Sequence, residues 1–348
     1  MDFRLPTALV ASLLAACHPP ARLTAQAPPC PPARAAFTAS WLDAWTLAED
    51  TLLRLPPAPP PTMYFFDETC AWTTGDVGED APALSADARF GYRGRRLDWS
   101  ALRHDTVLHL PDGDSVALGI VANTSIDARG EVISKMPAPS FWEAAGVPAG
   151  ELGYDRFVTA IFLHEFSHAR HIRAFSDAFD AIEAAWAFEE PFTSDVVQDR
   201  YGRDSAYVAL FSEEVGLLRR AAATADTAEV RSAITRALAT RRRRHATYFS
   251  GGEGVFATID DVLVATEGAG QWVGYAWLTH PDGGGLPDEL VLEEWGARGG
   301  MVRVSGLALF RAIDRMLPGW AEVVYREGDL VGATELLERA AVAPRVLR

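Results

Sequence analysis

Residues 162–171 read FLHEFSHARH, and this stretch decides both the fold and the chemistry that the sequence predicts. It lies within a long apolar run, which predicts a largely buried helix. His164 and His168 are four residues apart and therefore lie on one helix face, one turn apart, where both imidazoles can reach one metal ion. Glu165 lies about 100° around the helix from His164, so its carboxylate can reach a water on that metal.

This HExxH pattern predicts a hydrolytic zinc site. Zinc lowers the pKa of its bound water to about 7 and polarises a carbonyl group. Glu165 would then accept a proton as general base and deliver it to the leaving amine. The alternative is a helix whose histidines lie at the surface or are satisfied within the core. Burying two imidazoles and a carboxylate without partners is costly, which favours the metal.

A catalytic zinc ion has three protein ligands and an open position, so a third ligand must lie elsewhere in the chain. We predict Glu267, which lies beside an apolar stripe in VLVATEGAGQWVGY. Gly268 and Gly270 follow it and would let that helix approach the motif helix closely, although glycine weakens a helix by about 1 kcal/mol. The alternatives are Glu214 as the ligand, or a structural Glu267 paired with an arginine.

Two further acidic residues, Glu189 and Glu190, follow His168 at a spacing near that of thermolysin-like enzymes. They stand directly before Pro191, where a helix should end, so we do not select them. No pattern identifies a donor for a developing oxyanion. Tyr275, Tyr325 and Arg303 have suitable chemistry, but so has any other tyrosine or arginine, and we select none.

His171 follows the motif and can contact the site as a residue behind a ligand, or lie at the surface. It also separates the chain from one class of zinc peptidase. The metzincin pattern has Gly where this chain has His171, and His or Asp where it has Ala174.

The periodicity predicts an α+β fold, with a small N-terminal β-region followed by a mostly helical region. We place a metallopeptidase-like domain at 62–345, with a β-subdomain at 62–140 and a helical subdomain at 151–345.

A hairpin is predicted around PDGD at 111–114. One long helix is predicted over 154–175, and further helices over 205–223, 226–244, 258–278, 304–317 and 328–341. The strand at 131–136 is predicted either to bind a peptide at the sheet edge or only to pack.

The N-terminus predicts export. Residues 1–16 have the short apolar core of a signal peptide, and Leu-Ala-Ala before Cys17 is typical of a bacterial lipoprotein signal, after which Cys17 would carry the lipid. The alternative is ordinary secretion with cleavage after Ala27.

Residues 17–61 form a Pro-rich tether with one helix over 34–54. Cys30 and Cys70 then remain, either as one disulfide or as free thiols.

The charge balance argues against nucleic acid as a partner. Lys and Arg total 32 against 47 Asp and Glu, a formal net charge of −15, whereas nucleic-acid binding needs a basic footprint. The one basic run, at 241–244, falls near a helix end, where cations suit the helix dipole. We predict that this run is solvated.

The pairing of His164-Glu165-x-x-His168 with a downstream Glu267-Gly-Ala-Gly-Gln-Trp272 resembles the gluzincin metallopeptidases. The segments SEEVGLLRRAA and DRMLPGW also resemble uncharacterised bacterial HExxH proteins of the cell envelope, and the likeness covers about residues 130–340. The resemblance implies a zincin-like fold, zinc as cofactor, and a glutamate on a following helix as third ligand. Gly270 replaces the usual alanine of that context, and Glu267 is much farther from His168 than in the best-known members.

These features predict a zinc-dependent hydrolase, most simply a peptidase that acts on peptides or proteins in the bacterial cell envelope. Membrane contact would come only through a lipid anchor at Cys17. The alternative is a non-catalytic envelope lipoprotein that uses the same scaffold for binding or structure. Glu165 favours catalysis, because a structural metal site needs no base beside its ligands. Nothing in the sequence indicates the oligomeric state.

Overall fold

A computed structural model describes Cys30 and residues 35–76, 91–109, 115–186, 193–326, 328 and 330–344. Within these residues a small sheet region precedes a larger helical region, which confirms the predicted α+β fold. The proposed signal peptide at 1–16 and the lipidation site Cys17 lie outside the described residues, as does the predicted turn at 111–114.

The main sheet has five strands in the order β5-β2-β1-β9-β8. Its buried strand β1 pairs antiparallel with β2 on one side and parallel with β9 on the other. A separate hairpin, β6–β7, flanks the predicted turn. The strands are β1 (Thr62–Phe66), β2 (Cys70–Thr73), β3 (Gly91–Tyr92), β4 (Arg95–Arg96), β5 (Ser100–Arg103), β6 (Val107–His109), β7 (Ser115–Ala117), β8 (Asn123–Ile126) and β9 (Val132–Pro137).

The strand predicted at 131–136 is β9, and it lies inside the sheet rather than at its edge. It pairs with β1 on one side and antiparallel with β8 on the other. Of the two alternatives for this segment, packing is therefore correct and peptide addition to its own edge is wrong. The edge strand on this side of the sheet is β8, and it contacts the motif helix.

The helices form the rest of the body. They are α1 (Phe37–Leu47), α2 (Pro139–Ala144), α3 (Tyr154–His168), α4 (Ile172–Ala185), α5 (Val196–Tyr201), α6 (Ser205–Ala223), α7 (Thr227–Tyr248), α8 (Val255–Thr279), α9 (Asp288–Glu294), α10 (Gly300–Ile313), α11 (Trp320–Val324) and α12 (Ala333–Val342). Asp204 and Asp226 cap α6 and α7 by accepting backbone N–H bonds. None of the described helices is long and apolar enough to cross a membrane.

The long helix predicted over 154–175 is broken, and this prediction is wrong. Helix α3 ends at His168, and the amides of Ala169, Arg170 and His171 bond to carbonyls three residues earlier instead of four. This tightening of the last turn is common at helix ends. Helix α4 then starts at Ile172, with His171 in a non-helical conformation at its N-cap.

Helix α1 packs on the motif helix through aromatic rings. Trp41 stacks on Phe162 at a centroid distance of 5.1 Å and meets Phe65 of β1 edge-on, and Trp45 meets Phe166. The helix predicted within the N-terminal tether is therefore anchored on the core. Aromatic pairs of this kind contribute about 0.5–1.5 kcal/mol each beyond simple burial.

The predicted disulfide is present between Cys30 and Cys70, so the segment before α1 is linked covalently to β2. This contradicts the alternative of two free thiols. Because Cys70 is buried in the strand beside β1, the link ties the N-terminal segment to the sheet itself.

The prediction that the basic run at 241–244 is solvated is wrong for two of its residues. Arg241 and Arg244 are fully buried in α7, while Arg242 and Arg243 between them are exposed. Residues three apart on a helix lie on the same face, and the two residues between them point elsewhere, so one run divides between core and surface. The pattern of charges alone could not show which pair faces inward.

The buried arginines belong to a network that joins α6, α7 and α8. Glu214 accepts from Arg241 at 3.0 Å and from Arg244 at 2.9 Å. Asp260 forms an ion pair with Arg241 at 2.6 Å and lies 2.8 Å from Nε2 of His245. Burial opposes the ionisation of Asp260, but Arg241 and Arg244 hold the pKa of its carboxyl well below the usual range.

Glu214→Gln should lower the free energy of unfolding by about 3–5 kcal/mol, because it leaves buried guanidinium charge uncompensated. The matched control is Glu213→Gln, which removes the neighbouring carboxylate from an exposed pair with Arg243 and should change stability by less than about 1 kcal/mol. Urea denaturation followed by circular dichroism measures both. Equal effects of the two substitutions would contradict the structural role given to the buried network.

Asp260 should also make stability depend on acid pH. A carboxyl whose pKa is lower in the folded state contributes stability above the unfolded pKa of about 4, and this contribution is lost as the pH falls further. The difference in unfolding free energy between wild type and Asp260→Asn should therefore be greatest at pH 5–6 and shrink below about pH 4. A difference that grows in acid would show that Asp260 is not ionised in the fold.

Candidate metal centre

Two helices bring the predicted ligands together. His164 and His168 lie in the last turns of α3, and Glu267 lies in the middle of α8, which crosses α3. Nε2 of His164 is 3.3 Å from Oε2 of Glu267, and Nε2 of His168 is 3.8 Å from Oε1 of the same carboxylate. One donor atom from each residue lies within 4.8 Å of the others, so the three could hold one metal ion.

Glycines on α8 allow this close crossing, as the sequence indicated, but they face two helices, α3 and α10. A methyl group on Gly270 would lie 2.9 Å from Nδ1 of His164, and one on Gly274 would lie 3.1 Å from the carbonyl oxygen of Ala160. Gly268 does not face α3 as predicted. It faces α10, where its substituent would lie 2.5 Å from Cα of Gly306.

The protonation of the three side chains suits a metal ligand set. Burial lowers the pKa of His164, and burial together with the neighbouring His164 lowers that of His168 well below its usual value. Both imidazoles are therefore neutral at neutral pH and have a lone pair to offer. Burial opposes ionisation of Glu267, yet its contact with His164 and the charge of Arg303 hold its pKa well below the usual range.

His164 is buried without the hydrogen bonds that its ring could make. Neither Nδ1 nor Nε2 has a hydrogen-bond partner of good geometry among the described residues. A buried polar atom left in this state costs about 1–3 kcal/mol, and native structures rarely keep one without a role.

Glu165 faces a cleft next to the three side chains. Burial and the charge of Glu267 raise the pKa of its carboxyl to about 8. Its backbone carbonyl is released by the early end of α3, since Ala169 bonds to Phe166 instead. Thr124 of the edge strand β8 donates its hydroxyl to that carbonyl at 2.6 Å and fixes the strand against the motif.

The cleft has a volume of about 630 Å³ and is mostly apolar. One wall is the segment leading into β8, where Val121 is 63% exposed. Trp142, Phe157 and Trp295 also line the cleft. The general-base candidate therefore sits in a groove that can accept an apolar side chain of a ligand.

Arg303 of α10 also lines this cleft, and its Nε donates to Oε2 of Glu267 at 2.8 Å. An arginine partner for Glu267 was one of the alternatives raised by the sequence, and it is present together with the two histidines. Of the three candidate oxyanion donors, Arg303 alone lines the cleft. Tyr275 bonds to Asp288, and Tyr325 stacks on His171.

The other acidic candidates do not join the centre. Glu214 is held by Arg241 and Arg244, so the structure excludes it as the third ligand. Glu189 and Glu190 lie outside the described residues. A second cluster of metal-binding residue types, His245 with Asp260 and Asp261, occurs in the described part of the chain, but Arg241 already binds both aspartates.

Two functional contacts have no signal in the sequence. The arginine at Glu267 comes from a helix that follows it by a long stretch of chain, and an isolated arginine has no motif. The hydroxyl of Thr124 reaches Glu165 only because α3 ends early. His171 is buried directly behind His168, which selects the interior alternative for this residue and excludes the surface one.

No protein-family model, curated protein or solved structure gives a match to this chain. The function of the centre must accordingly be inferred from its own chemistry. Its distinguishing features are two neutral imidazoles, one ionised carboxylate and a second carboxyl of raised pKa beside them.

Gly270→Ala should weaken metal binding by about tenfold to a hundredfold, because the added methyl group displaces the ring of His164 or pushes α8 away from α3. Competition titration of zinc against a chromophoric chelator measures the affinity. The control is Gly216→Ala, an exposed position in α6 with no atom within 4 Å of the added methyl group. That control should keep the wild-type affinity and gain up to about 1 kcal/mol of stability. Wild-type zinc affinity in Gly270→Ala would contradict the close approach.

Proposed function

We propose that this protein is a zinc-dependent peptidase, in which His164, His168 and Glu267 bind the zinc ion and Glu165 is the general base. The observation that carries the proposal is the convergence of the three donors from two separate helices onto one point. The resemblance of the motif and of the Glu267 segment to gluzincins supports the same assignment.

The donor set fits zinc. Two imidazoles and one carboxylate make a known set of three protein ligands for catalytic zinc, and such sites keep one position open. The lowered pKa values of both histidines and of Glu267 keep all three in the form that binds a cation. The absence of hydrogen bonds to His164 among the described residues leaves its nitrogens free for coordination.

Glu165 is the residue that would accept and return the proton. A zinc ion bound at this centre would provide Lewis acidity, polarising a carbonyl and lowering the pKa of water. A carboxyl with a pKa of about 8 can both accept a proton near neutral pH and return it to a leaving amine. Positive charge at the centre would offset the influence of Glu267 and favour the ionised form of Glu165 that accepts the proton.

The cleft supports a peptide as the substrate. Its apolar walls, which include Trp142 and Trp295, can receive a large side chain next to the scissile bond. Arg303 presents a guanidinium group beside Glu165, where it can donate to a carbonyl or carboxylate of the same ligand. Together these groups suit a ligand that alternates amide and apolar groups.

We also propose that the protein works in the bacterial cell envelope, held by a lipid at Cys17. The Cys30–Cys70 disulfide supports export, because disulfides persist mainly in oxidising compartments.

A non-catalytic scaffold is the second candidate, and one observation favours it. Arg303 already neutralises Glu267, so the carboxylate has a partner without a metal ion. In that case the helices would be fixed by a structural His–Glu–Arg cluster, and Glu165 would have no catalytic role.

The decisive experiment compares Glu165→Gln with His164→Ala. Glu165→Gln should keep about one zinc ion per chain and lose peptide hydrolysis by at least about 10²–10⁴-fold, since it removes only the base. His164→Ala should lose both zinc and activity. Metal analysis by mass spectrometry and a peptide-library cleavage screen measure the two properties on the same preparations.

The control is Glu213→Gln, which alters an exposed carboxylate on another helix and should change neither zinc content nor cleavage. Full activity in Glu165→Gln would refute the catalytic assignment. A wild-type protein that takes up no zinc would support the non-catalytic scaffold instead.

A further inference from the structure

We infer that His171 is a positioning residue for the metal centre: it accepts a hydrogen bond from Nδ1 of His168 and so presents Nε2 of His168 to the metal. This inference rests on the proposed function, because it concerns how one of the proposed ligands is oriented. It adds a residue that lies outside the HExxH motif.

The geometry places the two rings in direct contact. Nε2 of His171 lies 3.1 Å from Nδ1 of His168, while the opposite nitrogen of His168 faces Glu267. The ring planes are inclined at 70°, so the two rings are not stacked on each other. Both residues are buried, and the early end of α3 puts His171 at the turn between α3 and α4.

The hydrogen bond selects one tautomer of His168. An imidazole that coordinates through Nε2 carries its proton on Nδ1, and that proton needs an acceptor. His171 can accept through Nε2 only as a neutral ring with its own proton on Nδ1.

Two observations argue that His171 does more than fill space. Nδ1 of His171 is buried without a hydrogen-bond partner among the described residues, which is a cost that an apolar residue would avoid. Its ring also stacks on Tyr325, whose plane lies 12° from parallel at a centroid distance of 5.3 Å. The ring is therefore fixed between a tyrosine and the proposed ligand.

The experiment compares His171→Leu with His171→Gln in the full chain. Leucine removes the acceptor, whereas glutamine can place a carbonyl oxygen near the position of Nε2. Zinc affinity should fall by about 10- to 100-fold in His171→Leu and return to within about threefold of wild type in His171→Gln. The cobalt-substituted proteins should show the same ranking, with an altered visible absorption spectrum only in His171→Leu.

Thermal unfolding of the metal-free variants measures whether each substitution lowers stability, as a packing role of His171 would require and a positioning role would not. If zinc affinity in His171→Leu equals that of wild type, the inference is wrong while the proposed zinc site stands. Equal losses in the leucine and glutamine variants would likewise overturn it and assign His171 a packing role. If wild type binds no zinc, the proposed function and this inference fail together.

A measurement on the wild-type protein keeps the inference testable should His171→Leu fail to fold. The imidazole ¹⁵N spectrum of the zinc-loaded protein should show a proton on Nδ1 of His168 that exchanges slowly with solvent. Its partner, Nε2 of His171, should be unprotonated. A protonated Nε2 in His171 would overturn the proposed hydrogen bond.

Discussion

The close approach of α8 to α3 brings the side chains of the candidate site together. Gly270 lets the ring of His164 lie against the backbone of α8, and the same contact brings Glu267 to both histidines. Gly268 and Gly306 allow α10 an equally close approach from another side, and α10 carries Arg303 to Glu267. These glycines, which have no side chain, therefore allow three helices and four charged or titratable groups to lie close together.

The end of α3 at His168 has consequences on both sides of the centre. On one side, the freed carbonyl of Glu165 takes a hydroxyl bond from Thr124, which fixes the edge strand β8 and the wall of the cleft. On the other side, the turn places His171 behind His168. One irregularity in a helix thus connects the sheet, the cleft and the proposed ligand, and a continuous helix would leave these contacts unmade.

The sequence predicted the helical periodicity, the α+β order and the approach of Glu267 to the two motif histidines, because these depend on residue spacing and on glycine at a crossing. It did not predict the break after His168, since 169–171 contain neither glycine nor proline and the tightening is decided by tertiary contacts. It misjudged Arg241 and Arg244 because the acidic partners that bury them, Glu214 and Asp260, come from other helices. Long-range pairing of charges has no local pattern.

Helix α8 carries two carboxylates in different electrostatic settings, one buried and one largely buried. Asp260 lies against guanidinium and imidazole nitrogens at hydrogen-bonding distance, so its cluster is satisfied within the protein. Glu267 has one close hydrogen bond, to Arg303, and faces two neutral imidazoles, one of which makes no hydrogen bond among the described residues. The first cluster already contains its cations. The second presents imidazole and carboxylate electron pairs at one point, which supports our proposal that a divalent cation binds there.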